Sequence, residues 1–389
     1  MKFNFGLKTK RFLSNTVFKV LSIINKIIRH NPNKVLFYSN VEFRDNNLSL
    51  FKYMIDNHYD DKYQIICYSS DYKLISNYFN LSNVRFVNLV KCIFTFFTAG
   101  KVFYTFGHLP IEAGKEQEIL QIWHGTPLKD VDQGSLLTHP IGHRYYTKVL
   151  STSKHFIPMV TRFFNVPKSS VVVCGMPRNE ELFEPSPQYE LGNYTKLIIW
   201  MPTFRKSWRG FAETDNPSQS SIPIINTSDF VQFNSFLQTI NVKIIIKLHP
   251  AQDLKQYRQL GFDNLVILSH NDFVGKGFDM YRLLVQSDAL ITDYSSVFFD
   301  YLLLDKPIGF TIDDMKSYGN KRGFVMDNPL NYMPGFKISS LDDLKTFCNN
   351  LASGKDDFKS ERSRVNSLVN DFKDGLFCKR ILEIMEIYN

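Results

Sequence analysis

From Pro32 onward, short apolar runs alternate with segments of helical period. The first set is Val35–Ser39, Gln64–Tyr68, Val84–Val87, Lys101–Tyr104, Glu118–Trp123, Lys148–Ser151 and Val171–Cys174. A second set follows at Leu197–Met201, Val242–Leu248, Leu265–Leu268, Ala289–Thr292 and Ile308–Thr311. Several of these are apolar on both faces, which suits strands buried inside a parallel sheet. Strands alternating with helices predict an α/β doubly wound architecture. The stretch Glu184–Asn193 is rich in Pro and Gly and reads as a linker between the two sets. The pattern predicts two Rossmann-type domains, residues 32–190 and 191–389, facing a central cleft. The polar stretch Gly210–Ser221 reads as a loop near that cleft, and a last helix over Ser360–Ile387 as one able to cross back to the first domain.

Ahead of the first strand, Leu13, Val17, Val20, Leu21, Ile24, Ile27 and Ile28 fall on one helical face, interrupted by Lys19, Asn25, Lys26 and Arg29. A spanning helix needs about 20 mostly apolar residues, and a signal peptide needs an unbroken apolar core. Residues 1–31 fit neither. They read as a basic amphipathic helix lying on a membrane surface, although a helix packed on the protein's own core would show the same period. Charge separates the two. The net charge is +8. Lys2, Lys8, Lys10, Arg11, Lys19, Lys26, Arg29 and Lys34 supply all of it, with no acid before residue 42, and the rest of the chain is neutral. A basic arm on a neutral body predicts an anionic membrane surface as partner. A nucleic-acid enzyme would spread its basic charge over a groove of the folded body, so no nucleic acid is expected. Cys67, Cys92, Cys174, Cys348 and Cys378 are scattered, without a C-x-x-C, and read as reduced, buried thiols.

Five segments place reactive groups just after an apolar run, where open parallel sheets bind ligands. Ile122-Trp123-His124-Gly125-Thr126-Pro127 exposes an imidazole on a turn, suited to a general base near neutral pH; a histidine bonded to a turn carbonyl is the plain alternative. Ile246-Lys247-Leu248-His249-Pro250 delivers a second histidine, with Lys247 on the same face by strand alternation, able to donate to phosphate oxygens. In Thr292-Asp293-Tyr294-Ser295-Ser296, hydroxyls and free backbone N–H groups converge where a helix is expected to start, near Ser295; this makes an anion site, with Asp293 or Ser295 also able to cap the helix. Met201-Pro202-Thr203-Phe204-Arg205 offers a guanidinium for bidentate phosphate contact. Gly175-Met176-Pro177-Arg178-Asn179 is a turn between the domains, where Arg178 either faces the cleft or serves domain packing.

The motifs WHGTPLK, GMPRNE, MPTFR, KLHP and LITDYSSVFFDYLLLDKPI, in this order, resemble the CDP-glycerol glycerophosphotransferase family, which includes teichoic-acid primases and polymerases and related capsule enzymes. The resemblance covers residues 100–330. It implies a GT-B-like fold with the donor on the C-terminal domain. It implies transfer of glycerol phosphate or another polyol phosphate from CDP-glycerol or CDP-ribitol to a hydroxyl of an undecaprenyl-linked or capsular glycan acceptor, with release of CMP. The implied location is peripheral, at the cytoplasmic face of the cell membrane. By this resemblance His124 matches the acceptor base and His249 the histidine facing the donor phosphates. Thr292, Ser295 and Ser296 match the donor-phosphate hydroxyl cluster, and Arg322-Gly323-Phe324 resembles a downstream RG-aromatic segment. Gly125, Thr126, Arg178, Asp293 and Arg322 are expected in support. Met176 stands where the family more often has Tyr or Phe, and Glu180 where it commonly has Asp; neither touches a reacting group.

No cofactor or metal is expected. No Asp-x-Asp stands at a strand end, and His139 and His143 are separated by Pro140, which breaks the helix a ligand pair would need. Two rival readings remain at this stage. A GT-B glycosyltransferase using a nucleotide sugar shares the fold. A non-catalytic, membrane-associated scaffold for envelope assembly would have no use for both histidines and the TDYSS segment.

Overall fold

The computed structural model describes residues 7–72, 77–78, 80–125, 128, 145–185, 188–203, 222–248, 261–321 and 323–389, with side chains from residue 16. The chain divides into two compact units, one comprising Met1–Gly125, Leu136–Glu180 and Asp374–Asn389, the other Thr126–Ser135 and Glu181–Lys373.

The first unit begins with α1 (Leu7–Ile27) and continues through β1 (Asn31–Tyr38), α2 (Asp45–Asp56), β2 (Gln64–Tyr68), β3 (Val84–Val87), α3 (Leu89–Phe96), β4 (Ala99–Tyr104), β5 (Glu118–Gln121), β6 (Lys148–Ser151), α4 (Ile157–Phe164) and β7 (Val171–Val173). The sheet order is β3-β2-β1-β4-β5-β6-β7, and every pairing is parallel. The central strands explain the two-faced apolar runs: Val35, Leu36 and Phe37 of β1 are fully buried, as are Val102 and Phe103 of β4. Phe37 and Phe103 stack at 5.0 Å across that pair.

α1 joins this unit through its polar side. Glu112 N donates to Ser22 Oγ (3.0 Å) and Asn25 Nδ2 donates to Glu112 O (2.8 Å) and Gln117 Oε1 (2.9 Å). His30 Nε2 meets Asn25 Oδ1 at 3.0 Å. Gln117 Nε2 in turn donates to the carbonyls of Phe96 and Ala99. These bonds are buried or half-buried, where a hydrogen bond is costly to leave unmade. Val17, Val20, Ile23 and Ile27 consequently face solvent, Ile27 at 80% exposure. No helix among the described residues is long and apolar enough to cross a membrane.

The second unit runs through β8 (Lys196–Met201), α5 (Phe230–Thr239), β9 (Val242–Lys247), β10 (Leu265–Leu268), α6 (His270–Gly275), α7 (Met280–Gln286), β11 (Ala289–Thr292), α8 (Val297–Tyr301), β12 (Ile308–Thr311), α9 (Met315–Lys321), β13 (Phe336–Ile338), α10 (Leu341–Ala352) and α11 (Lys359–Val369). Its sheet order is β10-β9-β8-β11-β12-β13, again all parallel. Trp200, Ile198, Ile244 and Ile291 form the middle of its core. In both sheets the strand order reverses once, between β1 and β4 and between β8 and β11, which is the doubly wound arrangement with one switch point per sheet.

Three expectations change. The helix read over Ser360–Ile387 is two helices, because Gly375 adopts φ +69° between them and ends helical continuity. α11 stays with the second unit, and α12 (Phe377–Ile384) belongs to the first. There α12 buries Phe377, Ile381 and Leu382, and Glu180 Oε2 accepts from Cys378 N at 2.6 Å. The stretch read as a linker is tied to the second unit at Tyr189, whose N–H donates to Gln286 Oε1 (2.8 Å) and whose hydroxyl accepts from Asp279 N (2.8 Å). Finally, β13 was not legible: two half-buried residues and one buried one, with Lys337 between Phe336 and Ile338, make no apolar run. The five cysteines are all buried and free, and burial pushes the Cys92 and Cys174 thiols up to about 12.

Candidate active site

In the first unit, β5 ends at Gln121 rather than Trp123, because the chain turns out of the sheet with Trp123 at φ +26° and Gly125 at φ +105°. A tryptophan in the left-handed region is strained and needs its surroundings to hold it. Two bonds do so. Trp123 N donates to Gln121 Oε1 (3.0 Å), and the indole N–H donates to Leu150 O (3.0 Å). His124 at the crest is exposed. Its ring stacks on Phe106, which follows β4, at 5.8 Å and 21°; Arg44 lies over the same Phe106 ring at 5.4 Å.

The backbone under His124 is clamped. Arg178 Nη1 donates to His124 O and pairs with Asp45 Oδ1, both at 2.7 Å, with the Arg178 side chain 7% exposed. Arg178 is therefore a strut beneath the histidine. Gly125 is required twice over: by its φ, and because a Cβ there would stand 2.5 Å from Arg178 Nη2. Asn46, at the start of α2, was missed from the sequence. Its Nδ2 donates to the carbonyls of Ile122 (3.1 Å) and Trp123 (2.7 Å), and its Oδ1 accepts from Arg178 N (3.3 Å). The only signal was the polar triplet Asp45-Asn46-Asn47 ahead of an apolar helix, of which both asparagines are fully buried.

In the second unit, β8 and β11 end side by side at the switch point, where doubly wound sheets bind ligands. Asp293 accepts from Thr203 N (2.9 Å) and from Thr203 Oγ1 (2.5 Å). Thr292 Oγ1 donates to Met201 O at 2.8 Å. Thr292 and Asp293 are both fully buried. Thr292, expected among the phosphate-facing hydroxyls, here directs its hydroxyl to the neighbouring strand. Asp293 ties the two strand ends. α8 begins at Val297, two residues past Ser295, and no side chain caps it. Ser295 and Ser296 are half-buried on the turn before it. Between them and the strand, Tyr294 points inward, donating to Asp314 Oδ1 (2.9 Å) and packing on Tyr318 at 4.5 Å. Lys247, the last residue of β9, is half-buried with Nζ 5.4 Å from the Phe273 ring centroid. Thr126, Arg205, His249 and Arg322 lie outside the described residues. Among the described residues no group of three His, Cys, Asp or Glu side chains is placed to hold a metal ion.

Comparison with known proteins agrees with this frame. The chain is 26% identical over 295 residues to the teichoic acid ribitol-phosphate polymerase TarL of Staphylococcus aureus, covering 69% of this chain and 47% of that protein. It is 26% identical over 339 residues to a teichoic acid poly(glycerol phosphate) polymerase of Bacillus spizizenii, covering 79% and 82%. Against TarL and two further ribitol-phosphate polymerases it spans about half of the relative's length. The solved structure of the wall teichoic acid polymerase TagF superposes with a TM-score of 0.68 at 18% identity, covering 97% of this chain and 96% of that one. At that identity the likeness is one of fold, and it places this α/β chain with its two parallel sheets among GT-B-like proteins. The family model described as CDP-Glycerol:Poly(glycerophosphate) glycerophosphotransferase matches residues 20–386, spanning both sheets and the segments between them, and the chain belongs to that family.

Proposed function

We propose that the chain transfers a polyol phosphate from a CDP-activated donor to an acceptor hydroxyl, in the synthesis of a teichoic-acid-type polymer. The observation that carries this is the family match over both sheets, with an exposed histidine held on a strained, clamped strand end. A TagF variant solved after a CDPG soak supports a CDP-glycerol-type donor for the family's fold.

The acceptor oxygen attacks the β-phosphorus while His124 takes its proton. The bond from that phosphorus to the bridging oxygen breaks, and CMP leaves with the oxygen. His249, Lys247, Arg205 and the hydroxyls of Ser295 and Ser296 meet the phosphate oxygens and the charge that develops on CMP. Thr292 and Asp293 act behind them by holding the ends of β8 and β11 together. Such a reaction depends on positioning and electrostatics more than on covalent chemistry.

The location we propose is the cytoplasmic side of a membrane, with α1 in the interface. Its support is the polar docking face of α1, which leaves Val17, Val20, Ile23 and Ile27 outward beside Lys19 and Arg29. The acceptor is then a lipid-linked or capsular glycan. The test is CMP release from CDP-glycerol and CDP-ribitol with lipid-linked acceptors, nucleotide sugars serving as controls. His124→Ala and His249→Ala should each lower the rate by about 10²–10⁴. Full activity in both variants, or turnover of a nucleotide sugar instead, would reject the mechanism.

A further inference from the structure

The first unit has a second concave surface that the proposed reaction does not use. A groove of about 770 Å³ runs between the N-terminal ends of β1 and β2, the edge strand β3 and the exposed side of α3. His124 follows the C-terminal end of β5, so the groove lies at the other end of the same parallel sheet. Lys34, Arg85 and Lys91 line it, and no carboxylate does. Lys34 Nζ donates to Thr98 Oγ1 at 3.0 Å. Among the described residues, Arg85 and Lys91 have no carboxylate partner. Asp60 and Asp61 precede β2 at this end of the sheet but do not line the groove.

A charged residue on an edge strand ordinarily just blocks pairing with another sheet, and Arg85 alone would need no further account. Three cations from three different elements around one concavity, with no acid to balance them, go beyond that. The rim adds a second signal. Phe94 borders the groove at 69% exposure, and Leu89 and Val90 on the same short helix are also exposed. α3 thus shows water an apolar edge directly beside a cationic hollow.

The elements also fix where this rim lies relative to α1. Asn31 N, just past α1, donates to Thr98 O (2.8 Å), and Gln117 links Asn25 of α1 to the carbonyls of Phe96 and Ala99 at the end of α3. The C-terminal end of α1 and the end of α3 are therefore bonded at the same end of the sheet.

We propose that this groove receives the phosphate headgroup of an anionic membrane lipid, with Lys34, Arg85 and Lys91 as its ligands and Phe94, Leu89 and Val90 entering the acyl boundary beside it. The proposal rests on the reading of α1 as a membrane contact and adds a second, lipid-selective foothold to it. α1 supplies apolar insertion together with scattered basic charge; the groove adds cations that converge on a single headgroup. Two cations brought to an anionic surface are together worth about tenfold or more in partitioning.

Flotation of the full chain with phosphatidylcholine vesicles, and with vesicles also containing phosphatidylglycerol, tests it. Arg85→Ala/Lys91→Ala should lose about tenfold or more in binding to the anionic vesicles, keep its weaker binding to phosphatidylcholine, and keep its melting temperature. CMP release with a soluble acceptor analogue should be unchanged, since neither residue is near the proposed site. Ile23→Ser/Ile27→Ser should lose binding to both vesicle types. If only that variant fails to lose binding, the reading of α1 is wrong and the groove stands. Wild-type affinity of Arg85→Ala/Lys91→Ala for anionic vesicles overturns the proposal, as does an equal loss on both vesicle types. Loss of oligonucleotide binding in that variant with vesicle binding intact overturns it in favour of a nucleic-acid groove.

Discussion

Arg178 makes two contacts at 2.7 Å from one nitrogen, to the His124 carbonyl and to Asp45. Its removal leaves a half-buried carboxylate unpaired and frees the backbone that aims the imidazole. Misplacing a reacting group by about 1 Å costs on the order of 10²-fold in rate. We expect Arg178→Ala to lower kcat for CMP release by about that factor with a smaller change in KM, and Arg178→Lys, which keeps the charge but not the fork, to recover part of it. An unchanged kcat in Arg178→Ala would remove the clamp from the mechanism. At the second unit the corresponding residue is Asp293. Asp293→Ala removes both acceptors and leaves the buried Thr203 N–H without its carboxylate partner. In a fully buried site this should cost about 1–3 kcal/mol, read as a lowered melting temperature. Single residues were unevenly legible in the sequence. His124 stood out because a turn follows an apolar run; the bond from Thr292 to Met201 O was not legible, because it depends on the register of β11 on β8. Asn46 was invisible because its partners lie more than seventy residues away.

Elements were most legible where burial is complete. The apolar runs of β1, β4, β8, β9 and β11 follow from two covered faces, and these strands lie at or next to the switch points. The failures are short or half-wet: β13 and the break before α12. That break depends on a single glycine with positive φ and on the fit of Phe377 against Gly175, where an added Cβ would come within 1.9 Å of the ring. Gly175→Ala should therefore lift α12 from its seat and expose its apolar face, detected as a lower melting temperature and increased binding of a hydrophobic dye. α1 carries a prediction of a different kind. Burial lowers the His30 imidazole below its usual 6.5, with Glu116 partly offsetting the shift. The folded chain then binds that proton less readily than the unfolded one. The contribution is complete above 6.5 and is lost as the pH falls through the lowered folded value. Wild type should lose more melting temperature than His30→Gln on acidification below 6.5. Equal slopes would mean that His30 does not titrate in its docked position.

At the scale of the molecule, the charge distribution and the repeated doubly wound sheet were both readable, because one is a count and the other follows from alternating buried strands and helices. A division of labour between the sheets is what the resemblance of the motifs implies, since nothing in periodicity separates a donor half from an acceptor half. That division has a measurable consequence. A ligand that binds only the folded state raises stability by RT ln(1 + [L]/Kd), about 2.7 kcal/mol at one hundred times Kd, and a gain of that size raises a melting temperature by several degrees. If the pyrophosphate of the donor meets Ser295, Ser296 and Lys247 of the second unit, CDP-glycerol should raise the melting temperature of the full chain and of His124→Ala alike. The proton acceptor acts on the other substrate and contributes little to donor affinity. Ser295→Ala/Ser296→Ala should lose most of that rise while its melting temperature without ligand stays close to wild type, because both side chains are half-buried on a turn and neither caps α8. The two variants thus fail in opposite ways: His124→Ala binds the donor and does not turn it over, whereas the serine pair fails at binding. A full donor-induced shift in the serine variant would move the pyrophosphate away from the β11–α8 turn, and loss of the shift in His124→Ala would place the imidazole against the donor instead of the acceptor.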